Sequence, residues 1–205
     1  MATGEEVIRE LLQIKAVQIK TEGYFTWTSG IKSPIYCDNR LTMSYPIVRR
    51  KITQAFARII KEQQIQLDCI AGCATAGIPH AAWLAEALDL PMVYVRSKPK
   101  AHGKGNQIEG KVEQGQKVIV IEDLISTGGS AIASAKALHA AGAEVTGVLA
   151  IFTYGLRKAE VAFRESGFHY HTITGFDAFI QVLEADGKIN QMDSKQLLAW
   201  KESLN

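Results

Sequence analysis

The sequence predicts an α/β fold with a doubly wound, mostly parallel sheet, and three observations carry that prediction. Four short apolar runs recur: Cys69 to Ala74, Met92 to Val95, Val118 to Ile121 and Val145 to Phe152. They are continuously apolar rather than alternating, as strands buried on both faces must be. Helical patterns at Pro79 to Leu88 and Ser130 to Ala141 fall between them, the alternation that a parallel sheet covered by helices requires. At 205 residues, 47% apolar and 21% charged, the chain has material for a full core without disulfides or metals, and one domain over 1–205 is expected.

Local chemistry accounts for the other elements in order. Thr3 and Glu6 have capping-box spacing ahead of Val7, Ile8, Leu11, Leu12 and Ile14, so an amphipathic helix is expected first. Thr21 to Met43 reads as loop. Pro46 to Gln63 places Val48, Ile52, Phe56, Ile59 and Ile60 on one face and its cations elsewhere, which gives a long helix packed on the core. Further helices are expected at Leu156 to Ser166, ended by Gly167, at Asp177 to Ala185, ended by Gly187, and at Asp193 to Leu204, with Asp193 and Gln196 as a cap pair.

Composition excludes several functions. Lys plus Arg number 23 against 21 Asp plus Glu, and a net charge of +2 gives no bulk attraction for nucleic acid, so any anion site must be local. Cys37, Cys69 and Cys73 lack paired C-x-x-C spacing and are expected to be reduced thiols. Glu5, Glu6, Arg9, Glu10 and Lys15 break up the first nineteen residues, so neither a signal peptide nor a membrane span is expected there. A cytoplasmic protein without nucleic-acid or membrane partners is the expectation.

The most informative stretch runs from Lys117 to Gly142. The strand Val118 to Ile121 leads into Glu122-Asp123, then Leu124-Ile125, then Ser126-Thr127-Gly128-Gly129-Ser130 and an Ala-rich helix. In a parallel sheet such a strand-to-helix turn lies at the carboxyl ends of the strands, where ligands bind. Glycines let backbone approach an anion, the helix start offers amides and the positive end of the macrodipole, and three hydroxyls add donors. Neither G-x-x-x-x-G-K-[ST] nor G-x-G-x-x-G is present. Two carboxylates repel a bare phosphate, yet they suit a phosphate joined to ribose, because they accept hydrogen bonds from its hydroxyls. Read without a ligand, the same acids merely cap the turn.

Val118 to Ser130 resembles the signature of the type I phosphoribosyltransferases. The resemblance implies that family's fold with a small N-terminal hood, here mainly residues 1–45 plus part of the C-terminal region over a core of about 46–175. It implies that Glu122 and Asp123 hold the ribose hydroxyls of phosphoribosyl pyrophosphate, and that Leu124, Ile125, Ser126, Thr127, Gly128, Gly129 and Ser130 complete its site. Phe25 to Asp38 resembles the F-x-L-x-S-G-x-x-S-P-x-Y-x-D pattern of the orotate-specific branch, which implies orotate as the acceptor base, with Tyr36 and Ser126 at the orotate pocket. Arg96, Lys100 and His102, in the cationic, glycine-rich stretch after the second strand, match the family's catalytic loop, which reaches the pyrophosphate of a neighbouring subunit. The resemblance thus also implies a homodimer with shared sites and a Mg2+ ion carried by the substrate rather than by a dedicated protein cage.

The implied reaction breaks the anomeric bond through an oxocarbenium-like transition state, so cations near the departing pyrophosphate act on the transition state more than on the substrate. No side-chain nucleophile is needed, because a nitrogen of the base attacks. Gly72 to Pro79 resembles the family's pyrophosphate-contacting turn, with Ala76 where some members carry Lys. Thr28 and Tyr154 also depart from certain members, which leaves Lys32 and Arg157 as candidates for the orotate carboxylate. A purine phosphoribosyltransferase and a regulator that senses phosphoribosyl pyrophosphate are the alternatives.

Overall fold

The Thr3 hydroxyl accepts the Glu6 amide and the Glu6 carboxylate accepts the Thr3 amide, so the expected capping box opens the first helix, α1 (Gly4–Gln13). The computed structural model of the chain describes residues 3–26, 30, 32–98 and 107–204. Four short strands follow α1: β1 (Val17–Ile19), β2 (Phe25–Thr26), β3 (Lys32–Ser33) and β4 (Ile35–Cys37). A 3-10 helix (Asn39–Ser44) leads into α2 (Pro46–Glu62). Next come β5 (Cys69–Cys73), α3 (Gly77–Leu88), β6 (Met92–Val95), β7 (Ile108–Glu109), β8 (Lys117–Ile125), α4 (Gly129–Ala140) and β9 (Glu144–Thr153). The chain ends with α5 (Arg157–Ser166), β10 (Tyr170–Gly175), α6 (Phe176–Ala185) and α7 (Gln191–Glu202).

Six strands form the central sheet in the order β10-β9-β8-β5-β6-β7, parallel except for β7. Alternation along the strands supplies two cores. Ile70, Ile119 and Ile121 face α1, α2, α3 and α6, while Ala71, Val118 and Val120 face α4 and α5. This is the doubly wound arrangement that the apolar runs predict. From β5 the chain moves outward to β6, and β8 then returns to the other side of β5. The topological switch point therefore lies between the carboxyl ends of β5 and β8.

The differences from the sequence reading are local. Thr21 to Met43 is not plain loop: β1 pairs with β4 and β2 with β3, as antiparallel pairs two or three residues long, too short for a period-two pattern to register. β10 was not expected either, because its sequence, Tyr-His-Thr-Ile-Thr-Gly, is largely polar and half-buried. β8 runs past Ile121 to Ile125, with Leu124 opposite Phe152 and Ile125 opposite Thr153 of β9, so the acid pair sits inside a strand. The last helix is capped by Asn190, with Asp193 as its third residue and reciprocal partner, three positions before the expected start.

Close backbone approach fixes the switch point. A Cβ on Gly77 would lie 2.2 Å from the carbonyl oxygen of Ile121, so α3 enters directly against β8. One on Gly129 would meet nothing within 4 Å. Gly77→Ala is therefore expected to cost about 1–3 kcal/mol of stability, as overpacking does, and Gly129→Ala to stay within about 0.5 kcal/mol of wild type. Urea-unfolding midpoints at equal m-value test the contrast, and equal midpoints would remove the packing explanation.

Candidate active site

The turn after β8 is built from backbone. Gly128 caps α4 at φ +82°, the left-handed region, and a Cβ there would sit 2.7 Å from the Phe163 ring of α5. Thr127, Gly129 and Ser130 are exposed and Ser126 is half-buried. The first amides of α4 have no acceptor within the helix, and no side chain caps them, so they face outward with the positive end of the helix dipole. The sequence treats Gly128 and Gly129 alike; the structure separates a glycine required for conformation from one that leaves space. Ile125 is a core residue whose carbonyl accepts the Tyr154 amide and the Thr153 hydroxyl, so it supports the turn from beneath.

Beside this turn lies a cavity of about 630 Å³, a size suited to a small-molecule ligand. Glu122, Asp123, Leu124 and Ser130 form one wall. The β5–α3 turn, with a cis peptide between Ala74 and Thr75, forms another. Cys37, Asp38, Arg40 and Met43 close it from the N-terminal segment. A larger hollow of about 800 Å³ lies by the C-terminal end of α2. Its floor is Ala57, Ile60, Ile65 and Leu88, its charged groups are Arg58 and Lys61, and it has no carboxylate; the chemistry belongs to the smaller cavity.

Alternation in β8 starts the two acids toward different neighbours, and at the end of the strand both line one cavity. Glu122 is buried toward α4, where it accepts the Ser130 hydroxyl at 2.8 Å and the Asp123 amide at 3.0 Å. The Cys73 thiol lies between Glu122 and the Ser134 hydroxyl, 3.2 Å away; burial, then the Glu122 charge, pushes it up to about 12. It is a neutral thiol. Asp123 turns toward the N-terminal segment, and burial followed by the neighbouring Glu122 raises its carboxyl from 3.8 to about 7.

Arg96 follows β6, whose last residue, Val95, accepts the Ala74 amide. It is placed beside the β5–α3 turn, with its guanidinium 3.4 Å from Glu109. Two hydrogen bonds of 2.9 Å tie Arg96 to Gln107 across the base of the cationic stretch. Lys100 and His102 lie outside the described residues, as do Thr28 and Ser29.

The model of the phosphoribosyl transferase domain matches residues 44–184. An orotate phosphoribosyltransferase of Oceanobacillus iheyensis is 58% identical over 201 residues, 98% of this chain and 100% of the relative. The chain belongs to the orotate phosphoribosyltransferase family. The family's enzyme from Bacillus subtilis is 54% identical over 96% of this chain and 91% of its own. Among solved structures, orotate phosphoribosyltransferase from Aeropyrum pernix aligns with TM-score 0.76 and 27% identity over 90% of this chain and 99% of its own. Leishmania donovani UMP synthase aligns with TM-score 0.80 and 25% identity over 98% of this chain, which spans 42% of that protein.

Against the family's expected orotate phosphoribosyltransferase site, the structure brings Glu122, Asp123, Leu124 and Ser130 to one cavity with the β5–α3 turn. Tyr36 is 39% exposed on β4, its ring 5.7 Å from Phe25, next to Cys37, which lines the cavity. Lys32 donates to Thr26 at 2.7 Å, and Arg157 is exposed at the start of α5. The sequence reading missed Arg40, paired with Asp38 at 2.6 Å, and the supports Cys73, Ser134 and Asn39. Only the Asp38-x-Arg40 spacing hinted at the first.

The raised Asp123 carboxyl makes a pH prediction. The native state holds this proton more tightly than the unfolded chain, so the group costs stability increasingly as pH rises from about 4 to about 7. His80, buried and lowered from 6.5 to about 4, has the opposite slope and loses stability as pH falls below 6.5. Comparison with Asp123→Asn isolates the acid: the variant should gain melting temperature over wild type as pH increases from 4 to 7.5. A difference that stays constant with pH contradicts the raised carboxyl.

Proposed function

We propose that the chain transfers the ribose 5-phosphate of phosphoribosyl pyrophosphate to orotate, giving orotidine 5′-phosphate and pyrophosphate. The single observation behind this reading is the juxtaposition, at the switch point, of a buried acid pair and an exposed amide-rich turn, in a chain 58% identical to a relative of that name. The turn from Ser126 to Ser130 receives the 5′-phosphate, with Leu124 and Ile125 carrying the backbone into it. Glu122 and Asp123 accept the ribose hydroxyls. Ser130 donates its hydroxyl to Glu122, so that hydroxyl must reorient to serve the phosphate.

Bond breaking puts positive charge on the sugar and negative charge on the leaving pyrophosphate. Arg96, Lys100 and His102 supply the cations for the second, and the acids flank the first. Arg96 must exchange Glu109 for the pyrophosphate. Ser126 and Tyr36 contact orotate, and residues 1–45 act as the hood that excludes water from the oxocarbenium-like centre. Glu122 and Asp123 also fit a Mg2+ ion bound mainly through substrate oxygens, since this metal is usually held by one or two carboxylates plus phosphates. When bound, the metal neutralises charge on the pyrophosphate.

A homodimer completes the reading. Leu41, Met43, Tyr45 and Ile47, of which Met43 lines the cavity, are all exposed and form an apolar strip for a second copy to cover. If Lys100 acts across that interface, mixing inactive Lys100→Ala and Asp123→Asn chains restores partial activity; verified subunit exchange without restoration refutes shared sites. The reaction itself is tested by loss of orotate absorbance with phosphoribosyl pyrophosphate and magnesium, in competition with adenine and xanthine. Consumption of a purine instead of orotate overturns the choice of base. Gly129→Val, whose Cβ meets no protein atom within 4 Å, should weaken phosphoribosyl pyrophosphate binding about tenfold or more. Unchanged affinity places the phosphate elsewhere.

A further inference from the structure

Three polar side chains form a buried chain between the 3-10 helix, α3 and β8. Asn39, Thr42 and His80 are at most 1% exposed. The Asn39 carboxamide donates from Nδ2 to the backbone carbonyl of Asp123 at 2.7 Å, across eighty-four positions of sequence. The Thr42 hydroxyl donates to the backbone carbonyl of Asn39 at 2.6 Å and contacts His80 Nε2 at 3.2 Å. A hydroxyl has one proton, already given to Asn39, so Nε2 is the protonated nitrogen of a neutral His80. Asn39 Oδ1 and His80 Nδ1 have no partner among the described residues. Leaving such atoms unpaired in a core costs stability, and an aliphatic side chain would avoid it. The function of the chain explains that cost.

We propose that Asn39 is a positioning residue for Asp123: held by Thr42 and His80, it fixes the Asp123–Leu124 peptide and so couples the N-terminal hood to the ribose site. The peptide is planar and trans, so its carbonyl and its amide point in opposite directions. Asn39 grips the carbonyl end and so fixes the plane from which the Asp123 side chain and the Leu124 amide project. Releasing the carbonyl frees the plane and with it the aim of the Asp123 carboxylate. The other titratable groups facing Asp123 are Glu122 from its own strand, Cys37 from β4, Arg40 from the 3-10 helix and Tyr154 after β9. None of them is altered by the substitutions below.

The inference rests on Asp123 holding ribose hydroxyls, and the test separates the two. Asn39→Ala should raise KM for phosphoribosyl pyrophosphate about tenfold, the equivalent of ~1.4 kcal/mol, with KM for orotate changed less than about twofold. Thr42→Val should raise KM for phosphoribosyl pyrophosphate by a smaller factor, and Thr42→Ser, which keeps the hydroxyl, should restore it. Ile52→Val, a change in the core away from the cavity, controls for lost stability. The proposal fails if Asn39→Ala leaves KM for phosphoribosyl pyrophosphate unchanged, or raises both KM values in proportion to its loss of melting temperature, as the control does. If Asp123→Asn itself leaves phosphoribosyl pyrophosphate binding unchanged, it is the ribose role of Asp123 that falls.

Discussion

Two carboxylates held side by side and partly out of water, at the end of the central strand, are the constraint around which the site is arranged. Isolated, such a pair is costly twice over, through desolvation and through mutual repulsion. The fold offsets part of that cost for Glu122 with the Ser130 hydroxyl and the Asp123 amide, and leaves Asp123 to keep its proton toward neutral pH. A ligand that brings hydroxyl donors and a cation relieves both penalties together. On the proposed reading, the pair therefore favours a sugar phosphate accompanied by a cation over a bare phosphate, which supplies neither donor nor compensating charge.

How much of this was legible in the sequence follows from length scales. Buried strands of four or more apolar residues and helices with a clear face announce themselves, so β5, β6, β9, α2 and α5 lie within a residue or two of their expected bounds. The turn was legible because phosphate chemistry restricts residue types locally, as in Ser126 to Ser130. The reach of β8 to Ile125 was hidden because its final residues are paired to β9 rather than marked by an apolar pattern. The strand pairs near the N-terminus were hidden because two residues make no period. Supports such as Asn39 and Ser134 were out of reach for another reason: their partners are distant in sequence, and a buried Asn or Ser looks like a turn residue until the fold brings an acceptor to it.

The C-terminal helices, the least diagnostic part of the sequence, have a definite mechanical place. The Trp200 indole donates to the Lys32 carbonyl at 3.1 Å, and the Gln196 carboxamide reaches the Tyr24 hydroxyl at 3.4 Å. Lys201 is buried and paired with Asp177 at 2.7 Å, which ties α7 to α6. Short antiparallel pairs are marginal alone, so β2 and β3 depend on α7 for their position. The β1–β4 pair rests on the main core through Val17 and Ile35. The N-terminal segment is therefore held from two sides by parts of the chain that carry no chemistry themselves.

On the proposed reading, this division of labour treats the two ends of the substrate differently. The phosphate end meets backbone amides at the start of α4, where the left-handed φ of Gly128 and the nearby Phe163 ring leave no room for a side chain, so its geometry is set before binding and little ordering is left to oppose affinity. The base end meets short strands propped by a terminal helix, a mounting able to shift without disturbing the sheet. Arg96, at the departing-group end, is held by Glu109 and by Gln107 at the base of its stretch; exchanging that carboxylate for a more highly charged pyrophosphate is favourable only once the polyanion has arrived. On that reading cationic stabilisation is applied where negative charge grows, which is what a transition state of this kind requires.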